Sequence, residues 1–295
     1  MDYKGYSFLY MIDKSGHIYD NTVNFSSDFQ NPYPYEDYAY PKVTIVVPTF
    51  NCVHTVSLTL DHILNQLYPR FEIVVVDAGS KDRTLEVIKN YRDERIRIFS
   101  VSGYHRYEML NKGIAQAEGE YLNCLFPGDF YLGRETLKYM MMLALNHQSP
   151  DLVFCGTFLR NGRSEPKTLF RHLNLKLLKM GQQPTSLQSC WFKTDTLKVL
   201  GKFNTSYKLR GGYELLCRFI LNRRLKSIST NRVLTDYDLR LVTRRMVLTH
   251  FYETMKTVFH YFGLYATFRW LCRQKDILRF LKLWLRNVRG AFLGN

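Results

Sequence analysis

Between Lys42 and Thr84 the apolar and polar positions follow a pattern that predicts strand, helix, strand. The run from Val43 to Pro48 gives way, after Thr49-Phe50-Asn51, to Val56, Leu60, Ile63, Leu64 and Leu67 at helical spacing, and then to Phe71-Glu-Ile-Val-Val-Val76. Short Val- and Ile-rich runs suit strands buried on both faces of a parallel sheet. The result is a βαβ unit, and in such units ligands bind beyond the carboxyl ends of the strands. Thr49 to Asn51 and Asp77 to Ser80 are therefore expected side by side in one crevice.

The alternation continues. Strands are predicted over 43–48, 71–76, 95–100 and 121–125, and helices over 54–67, 82–91, 106–118 and 134–147. A strand over 151–155 opens a second half, with helices near 172–180, 194–200 and 212–223. The fold class is α/β, a mostly parallel sheet flanked by helices. Residues 1–40 are rich in Tyr, Asn and Asp, with Lys14-Ser15-Gly16-His17 as a turn between two runs that pair as a hairpin. They are expected to form an N-terminal extension packed on the main domain, with a partner-binding strand left open.

Composition narrows the class. With 295 residues, 46% apolar and 23% charged, the chain reads as globular. Its longest apolar run, around Tyr139 to Leu145, is far short of the roughly 20 residues a spanning helix needs, and no secretory leader pattern opens it. A cytoplasmic protein is expected. The six cysteines form no CxxC pair, so buried thiols are expected rather than zinc or disulfides. A net charge of +15 favours an anionic partner. Nucleic acid would need a recognisable reader motif, and the chain has none.

The sequences Pro48-Thr49-Phe50-Asn51 and Val76-Asp77-Ala78-Gly79-Ser80-Lys81-Asp82-Arg83-Thr84 resemble the opening motifs of family-two glycosyltransferases of A-type fold. Tyr107-Glu-Met-Leu-Asn111-Lys112-Gly113, continuing to Tyr121, is similar to the branch that includes colanic acid biosynthesis enzymes. The resemblance implies a domain over 41–265, with a nucleotide-binding half at 41–131 and an acceptor half at 132–265. It implies inverting transfer of a sugar from a nucleoside diphosphate sugar to a lipid-linked saccharide or other glycan of the cell envelope.

By the same resemblance Thr49, Asn51 and Asp77 hold the nucleotide, with Ser80, Asn111 and Lys112 beside them, and Asp129 holds Mn²⁺ or Mg²⁺. Asp77 and Ser80 also fit a purely loop-forming or helix-capping role. Where the branch carries an Asp base before Tyr-Glu-Leu-Leu this chain has Gly212, which leaves Glu214 either as a substitute base or as a first-turn acid favoured by the helix dipole. Phe126 and Leu187 likewise replace polar residues. The alternative is a weakened relative that binds a nucleotide sugar or a partner without efficient turnover. His105 and Arg106 are placed to meet a diphosphate, or are ordinary surface residues.

Residues 266–295 are expected to form a basic amphipathic C-terminal helix. From Lys275, Ile277, Leu281, Trp284, Leu285 and Val288 share one face and Arg279, Lys282, Arg286 and Arg289 the other, the pattern of a helix lying on an anionic membrane surface. Docking on its own domain is the competing reading.

Overall fold

The computed structural model describes residues 11–12, 18–19, 40–160, 167–239 and 243–274. The chain divides into two compact units, Met1–Ala39 and Tyr40–Asn295. In the first, β1 (Met11–Ile12) pairs antiparallel with β2 (Ile18–Tyr19), as the hairpin pattern requires.

In the second unit β3 (Val43–Thr49) and β4 (Phe71–Asp77) are buried along their whole length and run parallel, with Thr49 opposite Asp77. They are joined by α1 (Val56–Leu64), whose Val56, Leu60 and Ile63 are fully buried. Burial of each such side chain contributes about 1.5–3 kcal/mol. The chain continues through α2 (Thr84–Asn90), β5 (Ile96–Ser100), α3 (Arg106–Gln116), β6 (Tyr121–Cys124), α4 (Thr136–Asn146) and β7 (Leu152–Arg160). These are the elements expected from the periodicity, with ends moved by a few residues. Gly113 lets α3 lie directly on β3, since an added Cβ would stand 2.3 Å from a Val46 methyl.

The second half departs further from expectation. After β8 (Lys167–Leu169) come α5 (Leu175–Lys179), a 3₁₀ turn at Leu187–Ser189, β9 (Cys190–Lys193), α6 (Thr194–Val199) and α7 (Gly211–Leu221). They are followed by β10 (Ser227–Asp238) and α8 (Arg244–Leu271). The pattern did not predict β8, β9, β10 or α8. Polar residues dilute β10 because only its end is buried, and α8 carries apolar residues around much of its circumference.

The sheet order is β10-β7-β9-β6-β3-β4-β5, with β8 beside β7. β3, β4, β5 and β6 are parallel neighbours and β10 runs parallel to β7, while β9 is antiparallel to both β6 and β7. The chain steps from β3 outward to β5 and then returns to place β6 on the other side of β3. That reversal opens a crevice beyond the carboxyl ends of β3 and β6. α8 bends at Gly263 (φ 77°), a backbone conformation suited to glycine, and runs on to Leu271. Residues 266–271 thus continue α8, and the amphipathic segment expected from Lys275 lies outside the described residues.

Among the described residues no helix is long and apolar enough to cross a membrane. Cys124, Cys155, Cys190 and Cys217 are buried free thiols, Cys52 is half-buried and Cys272 exposed.

Candidate functional site

The motif residues after β3 and β4 are tied to one another. Asp77 is fully buried, and its carboxylate accepts hydrogen bonds from Thr49 Oγ1 (2.8 Å), Gly79 N (2.9 Å), Ser80 N (2.8 Å) and Ser80 Oγ (2.6 Å). Ser80 Oγ also accepts from Asn51 N (3.0 Å), and Asn51 Oδ1 accepts from Lys81 N (2.9 Å). Asn51 sits at φ 47°, the left-handed region that Asn tolerates better than most residues. These bonds lock the two loops into a ledge. Of the residues expected to hold the nucleotide, Thr49, Asp77 and Ser80 support the ledge and do not line the cleft, while Asn51 reaches it with Phe50, Cys52 and His54.

The cleft above the ledge has a volume of about 450 Å³, within the usual range for small-molecule sites. Phe50 and Tyr104 stack at its mouth with ring centroids 5.4 Å apart, and both are exposed. Arg106, the first residue of α3, lies 4.6 Å above the Phe126 ring and lines the cleft. Tyr107 also lines it, and its hydroxyl donates to Leu209 O (2.7 Å) and accepts from Gly211 N (2.8 Å), fixing the start of α7. Asn111 does not reach the cleft. Its amide bonds Phe203 O (2.8 Å) and Phe203 N (2.9 Å), a tie across the core, and Lys112 is exposed and outside the lining. Neither of these residues, expected beside the nucleotide, is brought to the cleft lining.

On the opposite side the cleft is acidic. Asp129 follows β6, lines the cleft and is 4% exposed. Its Oδ1 accepts from Asp238 N (3.0 Å) and its Oδ2 from Gln188 Nε2 (2.6 Å). Asp238, at the end of β10, also lines the cleft. Arg160 bridges Asp236 (2.8 Å) and Asp238 (3.4 Å) and donates to Gly128 O (3.1 Å). Burial, with Asp236 and Asp238 repelling from nearby, pushes the Asp129 carboxyl up to about 7 despite its two hydrogen bonds. Sequence reasoning missed Asp238 and Arg160. The available signal was Asp236-Tyr237-Asp238, an Asp-x-Asp run at the end of a strand too polar to be recognised.

A divalent cation is implied by the family resemblance. Among the described residues no three His, Cys, Asp or Glu side chains group as a metal-binding set. Asp129 nevertheless offers a cleft-facing carboxylate whose raised proton affinity marks an uncompensated charge. A Mg²⁺-type ion at a nucleotide needs one or two carboxylates with the phosphates and water supplying the rest, so Asp129 fits.

Glu214 does not belong to this cleft. It is 1% exposed, takes a bidentate pair of bonds from Arg218 (2.9 and 2.8 Å) and a hydrogen bond from Tyr261 on α8. Of its two readings, substitute base and first-turn acid, the structure places it in the first turn of α7, where it joins α7 to α8. Gly212 lines the cleft instead, and a Cβ there would meet Leu187 at 3.6 Å, an ordinary contact.

Residues 44–203 match the family model described as Glycosyl transferase family 2. The chain is 25% identical over 203 residues to the PGL/p-HBAD biosynthesis glycosyltransferase of Mycobacterium bovis, covering 68% of this chain and 78% of that protein. It is 30% identical over 135 residues to the poly(ribitol-phosphate) beta-N-acetylglucosaminyltransferase TarS of Staphylococcus aureus, covering 44% of this chain and 23% of TarS. Among solved structures, TarS 1-349 in complex with UDP-GlcNAc gives a TM-score of 0.61 at 23% identity, covering 74% of this chain. The match spans 65% of that TarS chain, a little under two thirds. The mannosyltransferase PcManGT from Pyrobaculum calidifontis, in complex with GDP-Man and Mn²⁺, also gives 0.61, at 19% identity over 89% of this chain and 78% of that one. At these identities the likeness to both structures bears on the fold.

Proposed function

Because the chain belongs to glycosyl transferase family 2, we propose that it moves a sugar from a nucleoside diphosphate sugar to a hydroxyl of a glycan or lipid-linked saccharide, with inversion. One observation carries this reading: an aromatic pair, a guanidinium and two carboxylates from distant parts of the chain converge on one cleft at the switch point of the sheet. Phe50 and Tyr104 offer a stacking surface for the base, a contact worth about 1–3 kcal/mol. Arg106 donates to the diphosphate, where charge builds up as the leaving group departs. Asp129 would hold Mn²⁺ or Mg²⁺, which when bound neutralises diphosphate charge.

Inversion requires a base on the acceptor side of the sugar. With Glu214 buried, Asp238 is the cleft carboxylate left for that task, and its carboxylate takes the acceptor's hydroxyl proton. The resemblance of residues 107–121 to colanic acid biosynthesis enzymes, and the poly(ribitol-phosphate) in the name of TarS, support a polymeric or glycan acceptor. A second reading, donor binding without efficient turnover, is favoured by Gly212, which puts no acid at the cleft face of α7.

The test is a panel of UDP and GDP sugars read by thermal shift with and without Mn²⁺. A ligand selective for the folded state raises its stability by mass action. The proposal expects at least one nucleotide to stabilise the wild type, and Phe50→Ala with Arg106→Ala to remove that gain. If no nucleotide stabilises the wild type, or the double variant responds equally, the cleft is not a donor site.

A further inference from the structure

α8 presents an apolar surface that the donor cleft does not use. Leu248, Tyr252, Phe259, Leu264, Tyr265 and Phe268 are between 53% and 77% exposed. Leu248, Tyr252 and Phe259 fall within about 40° of one another at 3.6 residues per turn, so they form one stripe. Beyond the bend at Gly263, Leu264, Tyr265 and Phe268 are exposed as well. Large apolar side chains exposed in this number on one helix mark a contact surface rather than ordinary scatter.

The charge on this surface has one sign. Arg245, Lys256, Arg269 and Arg273 are exposed, and the only acid from 244 to 274 is Glu253. Glu253 is buried and turned inward, accepting from the backbone N–H groups of Lys208 (2.7 Å), Leu209 (3.0 Å) and Arg210 (2.8 Å). Between α5 and the end of α8 lies a groove of about 480 Å³, walled by Met180, Phe262, Tyr265 and Trp270. Lys176, Lys179, Arg269 and Arg273 stand on its lining, and among the described residues none of the four forms an ion pair. An apolar floor with unpaired cations around it matches an acyl chain below a phosphate headgroup.

We propose that α8 and the α5 groove are the seat on which the protein docks to an anionic phospholipid bilayer. Apolar side chains enter the acyl boundary while the four cations meet headgroup phosphates, the division of labour of interfacial helices. Charge argues against a second copy of the chain as occupant, since a two-fold contact through this face would set like cations against each other. Exposed leucines argue against nucleic acid, which offers them no apolar partner. The seat adjoins the cleft. Trp270 packs on Gly181, Met180 lies in the groove and Gln183 lines the cleft, so docking holds the cleft close to the bilayer surface.

The test is co-sedimentation of the full chain with vesicles of phosphatidylcholine alone or mixed with phosphatidylglycerol. Two variants are compared with wild type: Leu264→Ser/Tyr265→Ser/Phe268→Ser for the apolar surface and Arg269→Glu/Arg273→Glu for the groove. These are exposed positions, and a thermal melt confirms folding. Wild type should prefer anionic vesicles by about tenfold or more, less so at high salt, and each variant should lose at least about tenfold in binding. Undiminished sedimentation of both variants would overturn the seat. So would a wild-type dimer in lipid-free solution that the triple variant dissociates, since the face would then be a protein interface. Equal binding to neutral and anionic vesicles would overturn the role of the cations.

Discussion

The two walls of the cleft are built in opposite ways. The ledge from β3 and β4 is made of neighbours: Thr49 and Asp77 end adjacent parallel strands, and backbone groups within a few residues satisfy the carboxylate. The acidic wall is made of strangers, because Asp129 and Asp238 are 109 residues apart and meet through the Asp238 N–H. On the ledge a carboxylate accepts four hydrogen bonds from groups of its own two loops. On the acidic wall a carboxylate is buried with other acids, and its proton affinity rises. The difference separates a buried aspartate that ties two loops together from a buried aspartate that faces the cleft, and the proposed division of roles rests on it.

Removing Asp77 should have the largest effect on the fold. Asp77→Ala leaves Thr49, Gly79 and Ser80 without their shared acceptor, and loss of several bonds to a buried charge should cost about 3 kcal/mol or more. Chemical denaturation measures this, and nucleotide affinity should fall with it because the ledge loosens. A variant of wild-type stability that still loses nucleotide affinity would mean that Asp77 touches the ligand and that the two walls are not distinct.

Asp129 should behave in the opposite sense, with a smaller effect. Its folded-state pKa, about 7, lies above the ordinary 3.8, so the folded protein holds that proton more tightly than the unfolded chain. The associated stability is complete below about pH 4 and is lost as pH rises through about 7. Asp129→Asn should therefore flatten the decline of Tm with pH across that window. It should also abolish any Mn²⁺-dependent gain in diphosphate affinity. A decline with the same slope in the variant would place the uncompensated charge elsewhere.

The same contrast explains what was legible in the sequence. Val43 to Pro48 and Phe71 to Val76 announce buried parallel strands, and strand pairing alone brings their ends together. Sequence does not say which way Asp77 turns, so its position was readable and its contacts were not. Glu214 was legible in part: its place in the first turn of α7 was foreseen as one of two readings, while its partner Tyr261 lies on a helix with no clean apolar stripe. Asp238 was missed because β10 is half-exposed and polar over most of its length. Asp129 was identified from its motif, but the burial that raises its proton affinity is a property of packing.

The central claim, that the acidic wall performs the chemistry, is tested most directly by Asp238→Asn under single-turnover conditions with a donor that the panel identifies. Donor affinity and sugar transfer are to be measured on the same preparation. The account predicts unchanged donor affinity and transfer slowed by about two to four orders of magnitude, the usual contribution of a general base. Full-rate transfer by Asp238→Asn would contradict it, as would a gain in transfer by Gly212→Asp from a wild type that has none, because the working base would then belong to α7 and the present chain would be a binder.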